Sequence, residues 1–150
     1  MKIFLGADHG GFELKNQIRE HLIHRGYEAE DCGAATLVDE DDYPQYAYAV
    51  AAKVLGEEDD EQAVGILVCR SGQGMAIAAN RVHGIRAAVV WSQALARETR
   101  RDNHANVLSL PVDFIDTDTA LSIVENFLDE KYSQVEHHVR RVKQIEELYG

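Results

Sequence analysis

The sequence predicts an α/β protein: a single Rossmann-like three-layer domain in which helices cover both faces of a five-stranded parallel sheet. Short runs of β-branched and aliphatic residues alternate along the chain with segments whose apolar residues recur at helical spacing. The connections between these segments are short, which favours right-handed strand–helix–strand units and parallel strands. At 150 residues, the chain has the length of one domain with a sizeable core, so residues 1–150 are predicted to form one unit.

Five segments have the composition of buried or half-buried strands. Each is short, and a glycine, a charged residue or a helical pattern follows it. The common order of five such strands in space is 2-1-3-4-5, and we predict that order here. The predicted strands span 2–7, 27–33, 64–69, 85–91 and 106–110.

The segments between the strands carry helix signals. Apolar residues recur every four positions from Leu14 to Leu22. Pro44 suits the first turn of a second helix and Gly56 its end, while Ser92 is a suitable N-cap for a later helix. Two further helical segments, 116–132 and an amphipathic C-terminal helix over about 134–149, complete the chain.

The composition and charge exclude several classes of partner. The formal net charge of −11 argues against nucleic acid, because binding a phosphate backbone requires a basic surface. No stretch has the length of a membrane span, and the N-terminal residues do not resemble a secretory signal. The two cysteines, Cys32 and Cys69, lack a CxxC spacing, so we expect a cytoplasmic protein in which both stay reduced.

Chemically active side chains follow the first and third predicted strands. Ligands of open α/β sheets bind at the carboxyl ends of the strands where the strand order reverses, which here lies between these two strands. The first strand is followed by Asp8 and His9, and the third leads into Cys69 and Ser71 in the stretch CRSGQG. The topology therefore predicts that these four residues meet in one crevice, although about sixty positions separate them in the sequence.

The stretch CRSGQG has the properties of an anion-binding loop. Gly72 and Gly74 permit positive φ angles, and a helix that begins near Met75 directs its free N–H groups towards the crevice. A helix N-terminus also lowers the pKa of a nearby thiol, so Cys69 is expected to act as a thiolate. A base beside donors for an oxyanion suits proton abstraction next to a carbonyl, which is the central step of aldose–ketose isomerisation.

Structural roles compete with these functional ones. Cysteine is often a small buried hydrophobic residue, and from spacing alone this role is about as well supported for Cys69 as catalysis. Asp8 is equally suited to capping the first helix. The acidic segments 39–42 and 56–61 are predicted to be solvated loops, although the first could hold a divalent cation. The pair at 137–138 lacks the spacing of a zinc site, so no metal site is predicted.

The stretches GADHGGFELK, CRSGQGMAIAANRVHGIRAA and NHANVLSL resemble the type B ribose-5-phosphate isomerases, with the galactose-6-phosphate isomerase subunits as relatives. The resemblance covers essentially the whole chain. It implies interconversion of ribose 5-phosphate and ribulose 5-phosphate through an enediolate, without cofactor or metal, in a homodimer whose active sites are shared between subunits. It implies that Cys69 moves the proton between C2 and C1, that Ser71 assists, and that the backbone around Gly72 and Gly74 holds the enediolate.

The resemblance also implies a set of substrate-binding residues. Asp8 and His9 match residues that contact the sugar and its phosphate end. Asn103 matches an asparagine that contacts substrate hydroxyls, and Arg141 matches a phosphate-binding arginine near the C-terminus.

The sequence departs from the family pattern in the residues that hold phosphate. Asp113 and His137 stand where the family has arginines, and histidine replaces the bidentate fork of arginine only in part. Arg70 stands where the family usually has glycine. Arg70 and Arg140 are therefore the candidates to compensate as substrate-binding residues.

The group that opens the sugar ring is also altered. Asp102 stands where the family has a ring-opening histidine, and a histidine, His104, follows two residues later. Asp102 could transfer a proton if its pKa were raised, or His104 could act from the next turn. A different sugar substrate, phosphorylated or not, and a non-catalytic sugar-phosphate-binding protein both remain alternatives, although retention of Cys69 and Ser71 argues against the second.

Overall fold

The computed structural model describes residues 1–59 and 62–148, and within them five strands alternate with helices as predicted. Positions 60–61 of the acidic segment and position 149 of the predicted last helix lie outside the described residues. None of the described helices is long and apolar enough to cross a membrane. The elements are β1 (Lys2–Ala7), α1 (Phe12–His24), β2 (Glu28–Asp31), α2 (Tyr43–Leu55), β3 (Ala63–Cys69), α3 (Gln73–Ala79), β4 (Ala87–Val89), α4 (Gln93–Asn103), β5 (Val107–Pro111), α5 (Thr117–Asp129) and α6 (Glu136–Glu147).

The five strands form one parallel sheet in the order β2-β1-β3-β5-β4. The predicted order 2-1-3-4-5 is therefore wrong in its last two strands. Every residue of β5 is buried, whereas the three residues of β4 are only partly buried. A central strand has a hydrogen-bonded strand on each side and helices over both faces, which suits the fully buried β5. A short, partly buried strand such as β4 suits the edge of a sheet. Both edge strands, β2 and β4, are also shorter than predicted.

Side chains alternate along the strands between two cores, one on each face of the sheet. The core on one face packs against α1, α4 and α5, and the core on the other face packs against α2 and α3. In β3, Ile66 and Val68 belong to the first core, while Leu67 and Cys69 belong to the second. The alternation therefore directs the Cys69 side chain to the face that carries α3.

The loop between β1 and α1 lies directly against the end of β3. A Cβ atom on Gly11 would come within 2.2 Å of the Val68 carbonyl oxygen, so only glycine permits this approach. The buried Lys15 ammonium holds the neighbouring loop through an ion pair of 2.8 Å with Asp31 and a hydrogen bond of 3.2 Å to the Ala34 carbonyl. These contacts bring three loops to one edge of the sheet, where the predicted crevice lies.

Candidate active site

The loops after β1 and β3, between which the crevice was predicted, lie against each other at the carboxyl ends of these strands. Asp8 is buried there, and its Oδ1 accepts hydrogen bonds from the N–H groups of Gly10 and Gly11, at 3.0 and 3.2 Å. The carboxylate therefore stabilises the turn that precedes α1. The N-cap of α1 is Gly11 and no side chain caps the helix, so the capping role considered for Asp8 is wrong. The same bonds hold Asp8 at the mouth of the crevice beside His9.

The Cys69 thiol lies inside the turn between β3 and α3. Its Sγ accepts a hydrogen bond from the N–H of Gly72 at 3.1 Å, and the N–H groups of Met75 and Ser71 also contribute hydrogen bonds. Gly72 has a φ of 74°, a left-handed conformation that favours glycine. The Ser71 hydroxyl is exposed and accepts from the N–H of Gln73 at 3.3 Å. The thiol thus faces the row of backbone donors that the sequence predicted.

The expected lowering of the thiol pKa is wrong for the free chain. Burial raises the pKa of Cys69 more than the hydrogen bonds from Met75 and Gly72 lower it, so the net shift is upwards. These backbone N–H groups partly compensate for the exclusion of water from the sulfur, and they would stabilise the thiolate form of Cys69.

Two residues that the sequence did not single out shape this turn. The buried Ser109 hydroxyl on β5 donates a hydrogen bond of 2.6 Å to the Gly72 carbonyl and so anchors the loop. Tyr43, the first residue of α2, packs against Gly74, where a Cβ atom would come within 2.6 Å of the ring. A polar residue in the middle of a fully buried strand is the sequence signal that points to Ser109.

Arg70, in the loop after β3, pairs with the loop after β5, the neighbouring strand. Its Nε donates to Asp113 Oδ2 at 3.0 Å, and both side chains are largely exposed. The two residues are also joined through the backbone, since the Asp113 N–H donates to the Arg70 carbonyl at 3.0 Å. Arg70, which stands where the family usually has glycine, and Asp113, which stands where it has arginine, therefore form one ion pair.

Asp41 is the functional candidate that the sequence missed. The segment 39–42 was predicted to be solvated, and this is wrong for Asp41, whose side chain is only 4% exposed. Its Oδ1 accepts from the His9 backbone N–H at 2.9 Å and contacts His9 Nδ1 at 3.0 Å. No hydrophobic period covers the segment, so its fold onto the crevice could not be predicted.

A second group of predicted site residues lies where α4 ends. Asp102 accepts two hydrogen bonds from Arg101, at 2.7 and 3.2 Å. The bond from Arg101 lowers the pKa of Asp102, which is opposite to the raised value that proton transfer to the sugar ring would require. His104 ends α4 in a left-handed conformation, with φ at 52°, and its ring stacks on Tyr132 at 4.2 Å.

Helix α6 adds basic side chains to this second group. His138 Nδ1 lies 2.8 Å from the Ser133 hydroxyl oxygen and 3.7 Å from Asp102 Oδ1. Burial lowers the pKa of His137, and the positive charges of His138, Arg141 and Arg140 lower it further. At neutral pH His137 is thus a poor substitute for an arginine.

The two groups lie at opposite ends of the strands: the crevice residues at the carboxyl ends and the second group near the amino ends. Val107, at the start of β5, pairs with Gly65, whereas Pro111, at its end, pairs with Cys69. Four residues of strand separate these levels, which corresponds to about 13 Å, and Asn103 precedes β5 altogether. Asn103 lines a cavity of about 560 Å³ together with the loop that follows α3 and the C-terminal part of α6, and none of the crevice residues lines this cavity. One chain therefore brings together the crevice residues Asp8, His9, Cys69, Arg70, Ser71, Gly72 and Gly74, but not Asp102, Asn103, His104, His137, Arg140 or Arg141.

Within the part of the chain that the structure describes, one group of three side chains has potential metal-ligand atoms close together. The atoms belong to Asp8, His9 and Asp41 and lie within 4.8 Å of one another. His9 Nδ1 and Asp41 Oδ1 are hydrogen bonded to each other, whereas the buried Asp41 Oδ2 has no hydrogen-bond partner.

Comparisons with known proteins agree with this architecture. The model of the Ribose/Galactose Isomerase family matches residues 3–145. Ribose-5-phosphate isomerase B of Mycobacterium tuberculosis is 39% identical over 142 residues, which cover 95% of this chain and 86% of that protein. The Escherichia coli protein of the same name is 40% identical over 139 residues, covering 93% of this chain and 91% of the relative.

Solved structures match the chain over nearly its whole length. A ribose-5-phosphate isomerase B from Clostridium thermocellum superposes with a TM-score of 0.93 at 41% identity, covering 99% of this chain and 97% of the other. The Mycoplasma genitalium enzyme with bound ribulose-5-phosphate superposes with a TM-score of 0.93 at 36% identity, covering 99% and 95%. The chain therefore belongs to the ribose/galactose isomerase family.

Proposed function

We propose that this protein is an aldose–ketose isomerase that interconverts ribose 5-phosphate and ribulose 5-phosphate through an enediolate. The observation that carries the proposal is the Cys69 thiol, held in a crevice among backbone N–H donors at the start of α3. Relatives named ribose-5-phosphate isomerase B, one of them with ribulose-5-phosphate bound, support this choice of substrate.

In the proposed reaction, Cys69 is the base. The thiolate takes the proton from C2 of the open-chain aldose, the electrons of that bond form the C1=C2 double bond, and negative charge develops on the oxygen of C1. Once Cys69 has taken the proton and is neutral, the N–H groups around Gly72 and Gly74 shift from the sulfur to that oxygen and stabilise it. Ser71 passes the C2 hydroxyl proton to the C1 oxygen, and the Cys69 thiol returns its proton to C1 to give the ketose.

Two groups could open the sugar ring, and the geometry favours His104 over Asp102. The pair with Arg101 keeps Asp102 ionised, so this carboxylate is a poor proton donor to the ring oxygen. His104, whose ring stacks on Tyr132 at 4.2 Å, is therefore the proposed ring-opening group.

We further propose a homodimer in which each active site combines the crevice of one subunit with the second group of the other. The separation of the two groups within a chain supports this arrangement. Asn103 would then contact substrate hydroxyls, and Arg140 and Arg141 would join His9 and Arg70 around the phosphate. Since both cysteines are free thiols, we assign the protein to the cytoplasm.

A second candidate is an isomerase of another sugar or sugar phosphate. The Arg70–Asp113 pair favours it, because a carboxylate at this position opposes a nearby phosphate and engages the arginine that would bind it.

An isomerase assay with ribose 5-phosphate, allose 6-phosphate, galactose 6-phosphate and free ribose tests the proposal. We expect turnover of ribose 5-phosphate and exchange of its C2 proton with solvent deuterium. Turnover of another sugar alone would select the second candidate, and absence of both turnover and exchange would indicate a protein that only binds sugar phosphates.

A further inference from the structure

Asp41 has no part in the mechanism above, yet its carboxylate is buried at the crevice. The side chain is 4% exposed, and its Oδ1 contacts both the backbone N–H and the ring Nδ1 of His9. Burying a carboxylate costs free energy unless hydrogen bonds compensate, and here two such bonds come from one residue. The loop before α2 is thus fastened directly to His9.

The bond between the two side chains fixes the state of the imidazole. Burial alone would raise the pKa of Asp41, but the bonds from the His9 backbone, the His9 ring and Tyr46 outweigh it and lower the pKa. An ionised carboxylate can only accept hydrogen bonds, so His9 Nδ1 must carry the proton. Nε2 is then the nitrogen left for a ligand, on a side chain that is 35% exposed.

Three carboxylates face this imidazole: Asp41 and Asp39 in the loop before α2, and Asp8 in the loop after β1. The hydrogen bond to Asp41 is the main cause that raises the pKa of His9, and the charges of Asp8, Asp41 and Asp39 add to it. The imidazolium form therefore persists to higher pH than in an ordinary histidine.

We propose that Asp41 is a positioning residue that holds His9 with its proton on Nδ1 and presents Nε2 as a cationic donor to an anionic oxygen of the substrate. This inference deepens the proposed function and rests on it only for the identity of the ligand, the phosphate of a sugar phosphate. A charge-assisted hydrogen bond of this kind is stronger than a neutral one, which matters in a chain with a net charge of −11.

NMR of the ¹⁵N-histidine-labelled protein tests the positioning role without any assay of activity. His9→Gln assigns the His9 signals, and the wild type should show a protonated Nδ1 and a pKa above that of an unperturbed histidine. Asp41→Asn should lower that pKa, whereas Asp42→Asn, which removes the same charge from an exposed neighbour, should change it far less. A neutral His9 with its proton on Nε2, or equal shifts in both variants, would overturn the proposal.

Binding supplies the second readout. At pH 8, Asp41→Asn should raise KM for the sugar phosphate about tenfold and leave kcat within about twofold, with a smaller effect at pH 6, where both imidazoles are protonated. Asp42→Asn should leave both constants unchanged. If no sugar is turned over, titration with inorganic phosphate should still shift the His9 signals in the wild type. An unchanged KM in Asp41→Asn, or no response of His9 to phosphate, would refute the role in binding.

Discussion

Arg70 and Asp113 form an ion pair, with Nε of the arginine 3.0 Å from Oδ2 of the aspartate, between the loop of the Cys69 thiol and the loop after β5. The side chains are 69% and 44% exposed, so water screens the pair and it adds little to stability. Its consequence is functional, because the partner of Arg70 would compete with an anionic substrate.

Asp113→Asn is therefore expected to improve binding of a phosphorylated sugar. Removing the carboxylate frees Arg70 and abolishes the repulsion, so KM for ribose 5-phosphate should fall about threefold to tenfold at low ionic strength. KM for an unphosphorylated sugar should not change. Steady-state kinetics with the exposed Asp118→Asn variant as control checks this, and a raised KM in Asp113→Asn would show that the carboxylate itself contacts substrate.

Replacing the proposed base should remove chemistry and leave binding. Cys69→Ala is expected to lower kcat by about 10²–10⁴-fold with little change in KM, because the thiol acts on a proton that moves only in the transition state. Loss of C2 proton exchange, followed by ¹H NMR in deuterium oxide, is the direct measurement. A variant with near-wild-type exchange would exclude Cys69 as the base.

The pH dependence of the wild type should report the same thiol. Burial raises the pKa of Cys69, so the thiolate fraction, and with it kcat/KM in the free enzyme, should keep rising as the pH increases towards that raised pKa. A rate that is already constant across neutral pH would mean that the thiolate is formed at lower pH than the free chain indicates.

The two candidates for ring opening can be separated by matched substitutions. His104→Asn should lower kcat/KM for ribose 5-phosphate about a hundredfold, whereas Asp102→Asn should lower it less than tenfold, since Arg101 already keeps that carboxylate ionised. Circular dichroism of both variants controls for folding. A larger loss in Asp102→Asn would reverse the assignment.

The proximity of Asp8 to Cys69 could be predicted from the sequence, because the carboxyl ends of parallel strands lie together whatever the loops do. Three other features could not be predicted, because they depend on how the chain packs in three dimensions. The place of β5 inside the sheet depends on which strand is covered on both faces, and the shift of the Cys69 pKa depends on how far water is excluded. The contact of Asp41 with His9 depends on the path of a loop that has no periodic pattern.

Mixing two strongly impaired variants tests the shared active site. In a homodimer built as proposed, Cys69→Ala lacks the base of the crevice and His104→Asn lacks the group that the other subunit supplies. A heterodimer of the two variants has one site with both residues intact and one site with neither. Random re-association of equal amounts makes half of the dimers mixed, so about a quarter of the wild-type number of sites should be active.

Recovery of about a quarter of the activity after denaturation and joint refolding is the expected result, with each variant refolded alone as the control. If the mixture stays inactive while wild-type protein recovers under the same treatment, the base and the ring-opening group act within one chain or not in the same site.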